Sequence, residues 1–148
     1  MLILLFTFLS LSFAAVGETA GNVEYSGGTV QQVRSGDGGK LRTGAPTMVF
    51  QYKRGEVVVP YERINLIEYG QSASRRIVMA VVVSPLFLLS KARKHYLTVG
   101  FTDAEGQQQA MVFRVDKSHL RALLASLEAR TGLRIQYQDD EARKAGRG

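Results

Sequence analysis

Apolar and polar residues alternate along much of the middle of the chain, and this period of two predicts β-strands. Residues 47–53 show it most clearly, because Met48, Phe50 and Tyr52 fall on one face of an extended segment. The alternation, together with the turn residues between the segments, predicts about seven short strands. They are expected at residues 28–33, 40–43, 47–53, 56–60, 64–69, 96–102 and 109–115.

The period changes after residue 115 and predicts one C-terminal α-helix. Asp116 is a favourable N-cap residue, and Gly132 is a favourable residue just beyond the last turn. Between them, four leucines form a single apolar stripe: Leu120, Leu123, Leu124 and Leu127. Residues 135–137 are expected to be extended, and residues 138–148 are predicted to form a charged, flexible tail.

The order of the elements resembles a known superfold. Residues 57–70, VVVPYERINLIEYG, and residues 94–103, KHYLTVGFTD, are followed by a hairpin and by a leucine-rich helix that ends in LEARTG. Over about residues 23–137, this chain resembles small, uncharacterised bacterial proteins of the pleckstrin-homology-like (PH-like, GRAM-like) class. The resemblance implies a bent antiparallel sheet or partly open barrel closed by the helix. It also implies a binding or scaffold role rather than catalysis.

The N-terminal segment has the outline of a secretory signal. Residues 2–13 are mostly apolar, and small residues follow at positions 14–17. The run is too short to span a hydrocarbon core of about 30 Å, and neither Lys nor Arg precedes it. We therefore expect export, with residues 1–17 acting as a signal peptide or as an uncleaved N-terminal anchor. The domain itself is expected at residues 18–137.

An apolar insert at residues 77–90, IVMAVVVSPLFLLS, separates the fifth and sixth predicted strands. Pro85 in its middle favours a hairpin or a surface-lying segment over one continuous helix, and its length is too short for a span. The residues predicted to contact a membrane or partner are Val78, Val81, Val82, Val83, Leu86, Phe87, Leu88 and Leu89. The basic residues predicted to contact anionic headgroups are Arg75, Arg76, Lys91, Arg93 and Lys94.

Three interpretations of this insert remain open at the level of sequence. It contacts a membrane surface, it is buried in the domain, or it forms an interface with a protein partner or a second copy. Under the membrane interpretation, the chain is a membrane-associated binding module. Under the interface interpretation, it is a soluble protein-interaction or homodimerisation domain that uses the same insert.

The composition restricts which partners, metals and reactions the chain can be expected to use. The net charge of +6 suits an anionic partner such as a lipid surface, although it also serves solubility. There is no cysteine, and neither His95 nor His119 has a second ligand at metal-binding spacing. We therefore expect a non-enzymatic protein without a cofactor or metal, and export argues against nucleic acid as a partner. A weak anion site is predicted around the glycine-rich turn at residues 35–39, with Arg34, Lys40 and Arg42 as its basic groups.

Overall fold

The computed structural model describes residues 17–44, 46–71 and 94–147. In these residues the fold is mainly β, as the sequence predicts, with eight strands and two helices. The strands are β1 Thr19–Gly28, β2 Gly38–Thr43, β3 Thr47–Tyr52, β4 Gly55–Pro60, β5 Ile64–Gly70, β6 His95–Thr102, β7 Gln108–Val115 and β8 Gln136–Tyr137. The helices are α1 Lys117–Thr131 and α2 Asp140–Arg147, and a 3-10 turn at Tyr61–Arg63 joins β4 to β5.

The strands form one open mixed sheet in the order β4-β3-β2-β1-β7-β6-β5-β8. Strands β1 to β4 are a meander, β5 to β7 are a second one, and the antiparallel pairing of β1 with β7 joins them. Only the short β8 pairs in parallel, with β5, among the described strands. Strand β4 and strand β8 are therefore the two edges of the sheet.

The core lies between one face of the sheet and α1. Phe50 and Phe113 meet with ring centroids 4.9 Å apart, and Tyr25 packs against Phe113 at 6.0 Å. The leucine stripe of α1 faces these strands, and its four side chains are at most 1% exposed. Burying that stripe removes large apolar side chains from water, which is the main favourable term in folding.

Helix α1 confirms the predicted helix closely. Asp116 is extended and immediately precedes the helix, but its side chain makes no capping hydrogen bond. Its carbonyl instead accepts a hydrogen bond from the amide of His119 at 3.0 Å. Gly132 ends the helix in the left-handed conformation at φ 72°, which glycine adopts without the steric cost of a side chain.

The predicted first strand at residues 28–33 is wrong. Strand β1 runs from Thr19 to Gly28, and residues 29–37 form a loop. Val30 and Val33 still pack on the core, but as parts of a turn in which the amide of Val33 donates to the carbonyl of Val30 at 3.3 Å. Their spacing of three residues fits a turn better than the alternation of a strand.

The predicted single helix and flexible tail also need correction. Residues 138–148 were expected to be unstructured, yet α2 occupies most of that segment. Its side facing the domain is made of small residues, with Ala142 at 0% exposure and Gly146 also buried. Asp139 begins the helix by accepting a hydrogen bond from the amide of Ala142 at 2.7 Å.

Candidate functional site

The structure brings together the two ends of the segment that carries the insert. Gly70 at the end of β5 pairs with Tyr96 near the start of β6. Opposite residues of an antiparallel pair have Cα atoms about 4.5–5.5 Å apart. The chain therefore leaves the sheet after residue 70 and returns to it before residue 95 at one place. We call residues 68–70 and 95–98 the stem.

A tyrosine–histidine pair joins the two strands of the stem. The hydroxyl of Tyr69 lies 2.6 Å from Nδ1 of His95, and the two rings are stacked with their planes 14° apart. Burial raises the pKa of Tyr69, and burial together with the nearby Lys117 lowers the pKa of His95. Both shifts favour the neutral form at pH 7, and the tautomer of the imidazole decides which of the two groups donates.

The C-terminal segment braces the outer side of the stem. The amide of Gln138 donates to the carbonyl of Tyr69 at 3.1 Å, which extends the short pairing between β8 and β5. The side-chain amide of Gln138 donates to the carboxylate of Glu68 at 3.2 Å. Tyr137 meets the Tyr69 ring edge-on with centroids 6.2 Å apart. These contacts satisfy the polar groups of a strand that would otherwise be an edge.

Charged groups of both signs surround the stem. The charge of Lys117, at the start of α1, lowers the pKa of His95. The charge of Asp139, just before α2, raises the pKa of Tyr69. Lys94 directly precedes β6 and is partly exposed. Of the five basic residues that the sequence predicts to contact headgroups, Lys94 is the one that the described ranges include, and it lies at the stem.

The remaining residues predicted around the insert lie outside the described residues. They are the basic residues Arg75, Arg76, Lys91 and Arg93 and the apolar residues Val78, Val81, Val82, Val83, Leu86, Phe87, Leu88 and Leu89. Strands β5 and β6 do flank this segment, so its predicted position between the fifth and sixth strands agrees with the sheet. Residues 1–16 of the predicted signal segment also lie outside the described residues.

The basic residues of the predicted anion site have different surroundings. Arg42 forms an ion pair with Glu18. The backbone amide of Arg34 donates at 2.8 Å to Asp37, whose carboxylate also binds Arg54 at 2.5 Å. Carboxylates beside these positions weaken their attraction for an anion.

Lys40 lies apart from both, in a groove that sequence reasoning missed. The groove crosses the outer face of β1, β2 and β3, has a volume of about 600 Å³ and is open to solvent. Asn22, Gln51 and Lys53 line it beside Lys40. The side chains come from three strands, so only the strand register brings them together. The sequence contains no local signal for such a set.

The sequence favours a solvated or partly packed histidine, and His95 is indeed half-buried, but its pairing with Tyr69 was missed. One signal for the pair is present: Tyr69 stands before the glycine that ends one strand, and His95 begins the next strand. In the described ranges, no group of three or more His, Cys, Asp or Glu residues is placed to hold a metal ion. No described helix combines the length and apolar character needed to cross a membrane.

Comparison of the sequence with models of known protein families finds no match, and comparison with curated proteins finds none either.

Proposed function

We propose that this chain is a non-catalytic, PH-like binding or scaffold module that is exported and contacts a membrane surface through residues 77–90. The observation that carries the proposal is the closed stem: Gly70 and Tyr96 are paired, so both ends of the insert-bearing segment arrive at one place. A segment that must return to its starting point suits a surface contact better than a crossing, since a single crossing would carry its end to the other side of the membrane.

The strand order supports the PH-like part of the proposal. A four-strand meander, a three-strand meander joined to its first strand, and a helix after the last of these strands follow the order that the resemblance implies. The leucine stripe of α1 belongs to one buried core with side chains from both meanders. Such a scaffold leaves the loops between strands free to vary and to bind.

The charge around the insert supports contact with an anionic surface. The basic residues Arg75 and Arg76 precede the insert, and Lys91, Arg93 and Lys94 follow it. Of these five, Lys94 lies at the stem, next to the strand that pairs with the end of β5. Each basic residue near an anionic membrane contributes about 1 kcal/mol of attraction, and this attraction falls with salt.

The N-terminal segment leaves the domain far from the stem. The carbonyl of Gly17 accepts a hydrogen bond from Arg130, in the last turn of α1, at 3.3 Å. The stem instead lies beside the first turn of α1, where Lys117 acts on His95. A helix of this length spans about 22 Å, so Gly17 and the stem lie near opposite ends of α1.

The test is co-sedimentation of residues 18–148 with vesicles that contain anionic lipid. A double variant, Val82→Asp with Leu88→Asp, places two charges in the insert, and Ala104→Asp places one in the exposed loop between β6 and β7 as a control. We expect binding of the parent and of the control to fall with salt, and the double variant to stay in the supernatant. Far-UV circular dichroism and sedimentation velocity check that each protein is folded and report its size.

Two results would replace the proposal. If neither parent nor variant binds vesicles, but the variant loses a dimer, the insert is a protein interface and the chain is a soluble interaction or homodimerisation domain. If the double variant unfolds while Ala104→Asp does not, the insert is part of the core.

A further inference from the structure

Strand β4 is an edge of the sheet with an unusual exposed side chain. Val58 is 48% exposed and is the large apolar residue found exposed in the described part of the chain. It lies opposite Val49 of β3, on the outer face of the sheet. Strand β4 pairs with β3 over its whole length without a register shift, so the edge is regular.

The hairpin register fixes which backbone groups of β4 point outward. The loop between Tyr52 and Gly55 has two residues, and the pair that closes such a loop is hydrogen-bonded. Pairs then alternate along the ladder, so Glu56, Val58 and Pro60 direct their backbone groups away from β3. Pro60 fits this assignment, because its missing N–H removes no bond of the ladder.

No described residue pairs with this outer side of β4. The amides and carbonyls of Glu56 and Val58 therefore face outward together, at the position where a further strand would add. An extended strand is the kind of partner that satisfies such a row of groups.

We propose that β4 pairs with β4 of a second copy of this chain, antiparallel and centred on Val58. In this register Val58 faces Val58 of the second copy, and the two exchange a pair of backbone hydrogen bonds. The amide of Glu56 faces the carbonyl of Pro60 from the other copy. The proposal goes beyond the membrane contact and does not depend on it.

The side chains of the outer face favour a second copy over an unrelated strand. Two-fold pairing makes one row of four valines across the join: Val49 and Val58 from each copy. Opposite pairs of β-branched side chains are favourable on a sheet surface.

The expected dimer is weak. A single short strand edge buries less than the roughly 1,200 Å² of total surface at which stable interfaces begin. We therefore expect a dissociation constant of about 1 µM or weaker for the full chain in a mild detergent, measured by sedimentation velocity over a range of concentrations.

Cysteine cross-linking gives the sharpest test, because the full chain contains no cysteine. In the proposed register the two copies of residue 58 have Cα atoms about 5.5 Å apart, within the range of a disulfide. The two copies of residue 56 are about 14 Å apart, beyond that range. Under mild oxidation Val58→Cys should form a covalent dimer at least tenfold faster than the matched control Glu56→Cys.

The variant Val58→Lys supplies an independent measurement. It sets two ammonium groups opposite each other at the two-fold axis while leaving the bonds from β4 to β3 intact. We expect at least tenfold weaker dimerisation with an unchanged circular dichroism spectrum. Equal cross-linking of the two cysteine variants, a monomer at all concentrations, or a dimer that Val58→Lys leaves unchanged would each overturn the proposal.

Discussion

The Tyr69 hydroxyl and Nδ1 of His95 lie 2.6 Å apart, so one side-chain hydrogen bond ties β5 to β6 where the chain leaves and re-enters the sheet. The two residues are diagonal neighbours, since Tyr69 pairs with Leu97. Tyr69 is 0% exposed, so protein groups rather than bulk water surround its side chain, and the side chain of Gln71 also hydrogen-bonds to it. The bond fixes the ends of the segment whose membrane contact we propose.

Replacing Tyr69 by Phe should destabilise the fold by about 1 kcal/mol, because it removes the hydroxyl that shares a hydrogen bond with Nδ1 of His95. The change in the free energy of unfolding can be measured by urea denaturation. Tyr52→Phe is a matched control, because the Tyr52 hydroxyl donates to the carbonyl of Gln32 at 3.2 Å at an exposed site. Equal losses in the two variants would contradict a special role for the stem bond.

The stability of the fold should decrease as the pH falls below about 6.5. Burial, and then Lys117, lower the pKa of His95 below its ordinary value of 6.5. The unfolded chain then binds more protons at this site, so the contribution of neutral His95 is complete above that value. It is lost as the pH falls through 6.5 toward the lower pKa of the folded state.

The measurement for this prediction is the urea midpoint between pH 5.5 and pH 7.5, with His95→Asn as the comparison. The variant should have a flatter profile in this window. Glu18 and Asp103 also have lowered pKa values, through Arg42 and through backbone hydrogen bonds respectively, but these carboxylates titrate at lower pH. An unchanged profile in His95→Asn would assign the decrease to other groups.

Gly21 sets how closely α1 approaches β1. A Cβ atom at this position would lie 2.7 Å from Cβ of His119 and 2.8 Å from a methyl carbon of Leu123. Gly21→Ala should therefore destabilise the protein by about 1–3 kcal/mol through overpacking.

Gly38→Ala is the matched control on β2, because no atom lies within 4 Å of its added Cβ. We expect that variant to be neutral or more stable by about 0.4–1 kcal/mol, through the entropy of the unfolded chain. Thermal or urea unfolding of the two variants distinguishes these effects.

Helix α2 should detach without unfolding the rest of the domain. Ala142→Asp places a charge at a position that is 0% exposed, and such a charge without a partner is costly to bury. We expect hydrogen exchange of residues 140–147 to become about tenfold faster or more, with the amides of β6 and β7 protected as before. Arg143→Ala, one residue away on the exposed side, should leave exchange unchanged. Global unfolding of Ala142→Asp would mean that α2 is an integral part of the core.

Much of the sheet follows from local pattern. Strands β2 to β7 lie within a few residues of the segments predicted from alternation. Strands β2, β3 and β4 do have one face on the core and one toward solvent, whereas β6 is buried on both faces over residues 96–101. Strand β1 did not follow, since Val23 and Tyr25 are the large inward-facing residues in a segment rich in glycine and polar residues. Its identity depends on its pairing with β2 and β7, which no local pattern records.

Helix α2 was missed for a related reason. Its inward side consists of Ala142, Ala145 and Gly146, which carry too little apolar surface to make a recognisable stripe. Such a face packs only where a neighbour is already shaped to receive it, and here the ring of Tyr137 lies close to Gly146. A sequence pattern measures hydrophobicity, whereas this contact depends on shape.

The sequence by itself determined the mainly β class, the leucine face of α1, the left-handed glycine that ends it, and the place of the insert between two strands. These features depend on residues that are close together in the sequence, so a sequence pattern is enough to predict them. Only the tertiary structure decided that Tyr69 meets His95, that Lys40 shares a groove with Lys53, and that β4 is an edge with Val58 exposed. Each of these depends on strand order and register, which are set by the burial of the whole core and not by the residues at the site.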